Sequence, residues 1–92
     1  MSQGINLTQE AQEKQRLFIE RARKGVLKFI ADSGAPVNMS DLHDFTLKKF
    51  FIQHQGFSNL MEGLVADQLV VFNQEASEFI LTDMGKAMIS DE

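Results

Sequence analysis

The sequence has no cysteine, which excludes a disulfide framework, thiolate catalysis and a cysteine-held iron–sulfur cluster. It has no tryptophan or tyrosine either, so its eight phenylalanines read as core filler. Glycine and proline are sparse, and no internal repeat or low-complexity tract is visible. No apolar run exceeds a few residues, against the roughly 20 needed to cross a bilayer. The first ten residues are polar and lack a signal-peptide core. No glycine-rich phosphate loop is present. These absences lead to the expectation of a cytoplasmic protein with no cofactor and no membrane partner.

What remains is ordinary globular composition, 43% hydrophobic and 24% charged, in a chain short enough for one core. Residues 1–7 are expected to be a loose leader and residues 8–92 a single domain. The formal charge of −4 is unevenly spread. From Glu10 to Ile30 six basic residues face three acidic ones, whereas from Ala31 to Glu92 three lysines face ten acids. Such polarity suggests two surfaces with different partners.

Thr8 is a candidate N-cap for a first helix that Gly34, Ala35 and Pro36 would stop after Ser33. Phe18, Ala22, Gly25, Val26 and Phe29, flanked by Ile19 and Ile30, form its apolar stripe. Leu17 and Leu27 fall on the other side and mark a candidate dimer contact. Asn38, with Asp41 three residues on, resembles a capping box. The helix it opens is clean at Met39 and Leu42. Beyond that, Phe45, Leu47, Phe50, Phe51 and Ile52 imply either an almost fully buried second half or a break near Thr46. After Gly56, residues Phe57, Leu60, Met61, Leu64 and Val65 make a full apolar helical face. The period then changes to 2: Leu69–Phe72 and Phe79–Leu81 are β-rich around a polar loop, which predicts a hairpin. Thr82 is placed to cap a short last helix through Met84, Ala87, Met88 and Ile89.

The run Leu60-Met61-Glu62-Gly63-Leu64-Val65-Ala66-Asp67-Gln68-Leu69-Val70 resembles a recognition helix entering the first wing strand of a winged helix-turn-helix domain. Gln68 stands where that pattern usually has glycine. Phe79-Ile80-Leu81-Thr82-Asp83-Met84-Gly85 resembles the superfamily's strand exit to a terminal helix. The resemblance spans roughly Val26 to Ile89 and is nearest to bacterial regulators of the MarR and PadR type. It implies an α+β winged helix with three core helices, a two-stranded β-wing and a short C-terminal helix. In two respects the chain departs from the pattern: the segment from Leu42 to Leu64 is longer, and Gln53 to Gln68 contains no Lys or Arg.

The resemblance implies a homodimeric regulator that lays its third helix on double-stranded DNA. Gln53, His54, Gln55, Ser58 and Asn59 are then the candidates for base contacts, and Lys48 and Lys49 for phosphates. Against this stand Glu62, Asp67 and the acidic loop Gln74–Glu78. The alternative is a winged-helix module that binds another protein and no nucleic acid. Catalysis has little support: His43 beside Asp44 and Ser40 does not make a triad, since neighbours on a helix do not converge. It is expected to be exposed. With His54 it makes only two imidazoles, too few for a zinc site without cysteine.

Overall fold

The computed structural model describes the backbone of residues 2–34 and 36–90 and the side chains of residues 9–34 and 36–90. In chain order the elements are α1 (Ser2–Ser33), β1 (Val37–Asn38), α2 (Met39–Phe50), α3 (His54–Ala66), β2 (Val70–Asn73), β3 (Glu78–Leu81) and α4 (Asp83–Ser90). They form an α+β fold in which the strands pair antiparallel in the order β1-β3-β2.

α1 is rich in Glu, Gln, Ala, Lys and Arg, all strong helix formers. It begins ahead of Thr8, so the helix takes in most of the expected leader. At its end Gly34 turns to φ 69 and its N–H reaches the Ala31 carbonyl at 3.1 Å. Ala35, expected to help stop the helix, lies outside the described residues. Ala22, Val26 and Ile30 are buried as their spacing predicts. Leu27 corrects the sequence reading: it is fully buried rather than on an outer face. The reason is that α2, α3, β3 and α4 all pack on α1, so more than one stripe of it is covered. Phe18 and Ile19 follow the stripe but are each 43% exposed, because residues 9–21 of α1 are all exposed.

Asn38 caps α2 as expected. Its Oδ1 accepts the Asp41 N–H at 2.8 Å, and its amide donates to the Asp41 carboxylate at 3.1 Å. α2 then runs unbroken through Thr46. That residue is fully buried, and its hydroxyl donates to the His43 carbonyl at 2.9 Å. The second half of α2 is only partly covered. Phe45 stacks on Phe29 at 4.3 Å between centroids, while Leu47 is exposed. The helix stops at Phe51, held in the left-handed region at φ 59.

On α3 the expected residues Phe57, Leu60, Met61 and Leu64 are buried, and Val65 is 41% exposed. The hairpin forms as predicted, with Phe72 opposite Phe79 and their rings 4.8 Å apart. β1 was not legible, since two residues carry no alternation. It pairs Val37 with Phe79 and Asn38 with Glu78, which ties the start of α2 to the hairpin.

The join to α4 rests on Thr82. Its hydroxyl accepts the Gly85 N–H at 3.0 Å and faces the carbonyls of Gln68 and Leu69 at 2.7 and 2.9 Å as donor. A side chain at Gly85 would overlap the Leu69 carbonyl oxygen and the Leu81 Cδ1, so the position is closed to anything larger.

Candidate binding cleft between helix 3 and the hairpin

The strands and the cap of α2 bring α2, α3, β2 and β3 around one cleft of about 840 Å³. Its floor is apolar: Phe57 and Met61 from α3, Phe72 from β2 and Phe79 from β3. Met39, the first residue of α2, and Val65 of α3 stand at its sides, each well exposed. Hydrophobic side chains therefore stay accessible in a place where they adjoin the core rather than scattered singly over the surface. Ser40, Ser58, Ser77 and Glu62 supply the polar rim.

The hairpin loop is shaped by its own backbone chemistry. Asn73 accepts from the N–H groups of Glu75 and Ala76 at 3.1 and 3.4 Å, and Ser77 takes a positive φ of 54. The Ser77 carbonyl then accepts the Met39 N–H at 2.9 Å, so the loop's end is fixed to the first turn of α2. The cleft is thus closed at that side by a backbone bond.

The two imidazoles, widely separated in sequence, meet here. His43 is partly buried, not exposed as the sequence suggested, and its ring lies 5.7 Å from that of His54 and 4.9 Å from Phe57. Helix periodicity gave no sign of this, because the contact depends on how α2 and α3 cross.

The seven residues expected to face DNA do not assemble into one site. His54 and Ser58 line the cleft. Lys48 and Lys49 line a different hollow of about 650 Å³, beside Phe45, Asp41, Asp44 and Glu78. The ammonium of Lys48 lies 3.0 Å from the Asp44 carboxylate. Asn59 borders a third hollow with Phe18, Ile19 and Ile52, and accepts from Gln55 at 3.3 Å. Gln53 and Gln55 are exposed at the start of α3.

Charge is divided along the chain. From Phe50 to Gly85 there is no Lys or Arg, while Glu62, Asp67, Glu75, Glu78 and Asp83 all lie in that stretch. α3 and the hairpin consequently present acids without bases. Asp67 takes the Arg23 guanidinium at 2.7 Å, and that guanidinium lies against Gly63. Arg16 is held between Glu13 and Glu20, and its hydrogen bond and charge contact with Glu13 raise its pKa above the ordinary value. Part of the basic surface of α1 is therefore already matched within the chain. Among the described residues, no helix is long and apolar enough to cross a membrane. No protein-family model matches this chain, and neither a curated protein nor a solved structure is detectably similar to it.

Proposed function

We propose that this chain is a non-catalytic protein-interaction module of winged-helix type, with β2 and β3 as its wing and the α3–wing cleft as its docking surface. The order helix, helix, helix, hairpin, helix and the glycine-tight join at Thr82–Gly85 support the winged-helix reading. One observation carries the choice of partner: the cleft between α3 and the hairpin is apolar, no Lys or Arg lines it, and neither element contributes one. A DNA reader needs cations against phosphate before base contacts can specify a sequence. A protein partner needs an accessible apolar anchor site instead.

The DNA-regulator reading is kept as a second one on a single feature. Gln55 and Asn59 stand exposed one turn apart on α3, and such amides suit adenine edges. Binding of a labelled random-sequence duplex at low and then moderate salt separates the two. The interaction-module reading expects no binding at either salt. Binding that falls steeply with salt, and is lost in Lys48→Ala/Lys49→Ala, establishes the regulator reading instead. On the protein side, a partner retained by the wild-type chain is expected to be lost from Val65→Asp, whose side chain is exposed and whose fold circular dichroism can verify.

A further inference from the structure

The cleft also states what kind of segment fits it. Its floor is made of side chains, Phe57, Met61, Phe72 and Phe79, and these offer no backbone ladder to a guest. An extended guest would bury N–H and C=O groups without partners, at a cost comparable to lost hydrogen bonds. A helical guest brings those groups already paired and lays one apolar face on the floor. The rim adds a sign. Glu62 stands in the cleft wall, Glu75 is exposed in the hairpin loop, and no Lys or Arg lines the cleft or occurs from Phe50 to Gly85. An acid in the wall of an apolar floor, with no Lys or Arg in the lining to offset it, favours a guest whose flanks are cationic.

Resting on the protein-interaction reading above, we infer that the α3–hairpin cleft accepts a basic amphipathic helix: apolar residues at i, i+3, i+4 and i+7 on the floor, with Lys or Arg flanking them toward Glu62 and Glu75. The α3–hairpin surface is selective by charge as well as by shape. A helix with acidic flanks meets Glu62 and Glu75 with like charge and is refused.

The test uses the full chain, labelled with nitrogen-15, and three synthetic peptides of about five helical turns. One has a leucine stripe with lysine flanks, the second the same stripe with glutamate flanks, and the third the lysine peptide's composition in scrambled order. The lysine peptide is expected to bind with shifts confined to amides around Met39, Ser58, Val65 and Ser77, and the scrambled one to bind at least about tenfold more weakly. The exposed substitutions Glu62→Lys and Glu75→Lys together are expected to exchange the preference, so that the glutamate peptide becomes the better ligand. If the glutamate peptide binds the wild-type chain as well as the lysine one, the cleft reading stands and the basic-partner inference is overturned. If no peptide binds, or the shifts map to another face, the inference fails. The duplex titration above then decides whether the protein-interaction reading fails with it.

Discussion

Gln68 holds a backbone conformation that its side chain does not favour, with φ 64 just after α3. Left-handed geometry costs a non-glycine residue about 1–2 kcal/mol. Gln68→Gly is expected to raise stability by about 0.5–1 kcal/mol, less than the full strain because glycine also gains freedom when unfolded. Chemical denaturation checks this, and a loss of stability would contradict it. The two leucines of α1 supply a second residue-scale test. Leu27 is fully buried and Leu17 is 48% exposed. Leu27→Ala is expected to cost about 2–5 kcal/mol, and Leu17→Ala to stay within about 0.5 kcal/mol. Comparable losses at the two positions would mean that Leu17 is covered by something, a second copy of the chain being the first candidate.

Elements with a strong local signal were legible in the sequence: the apolar face of α3, the hairpin, and the caps at Asn38 and Thr82. Each depends on neighbours a few residues away. What was not legible depends on tertiary packing. Burial of Leu27 needs several elements on α1, β1 needs β3, and the meeting of His43 with His54 needs the crossing of α2 and α3. The candidate site was legible only in its parts, since Ser58 and His54 line the cleft but Lys48 and Lys49 line another hollow. The apolar floor was read as core, and nothing in a one-dimensional period says that a core face also opens to solvent. Thr82 is where hairpin and α4 are coupled, because one hydroxyl accepts the Gly85 N–H and donates to the Gln68–Leu69 carbonyls. Thr82→Val keeps the shape but removes both bonds, and is expected to cost about 1–2 kcal/mol. Thr82→Ser is expected to recover most of that loss. Equal stability of the two variants would show the hydroxyl to be idle.

Over the whole molecule, the long axis of 52 Å follows α1, whose 32 residues span about 48 Å at 1.5 Å per residue. Basic residues cluster on this helix, and acids dominate α3 and the hairpin. That division, with an apolar cleft on the acidic side, is why a protein partner accounts for the molecule better than a duplex does. The most direct measurement is a titration of the nitrogen-15 labelled chain with random-sequence duplex DNA at low salt, following the amides of Gln55, Ser58, Asn59 and Val65. The account predicts that these resonances stay in place, even where the basic helix α1 shows weak, salt-sensitive shifts. Saturating shifts along α3 that disappear as salt rises would contradict it and make α3 a DNA-binding helix.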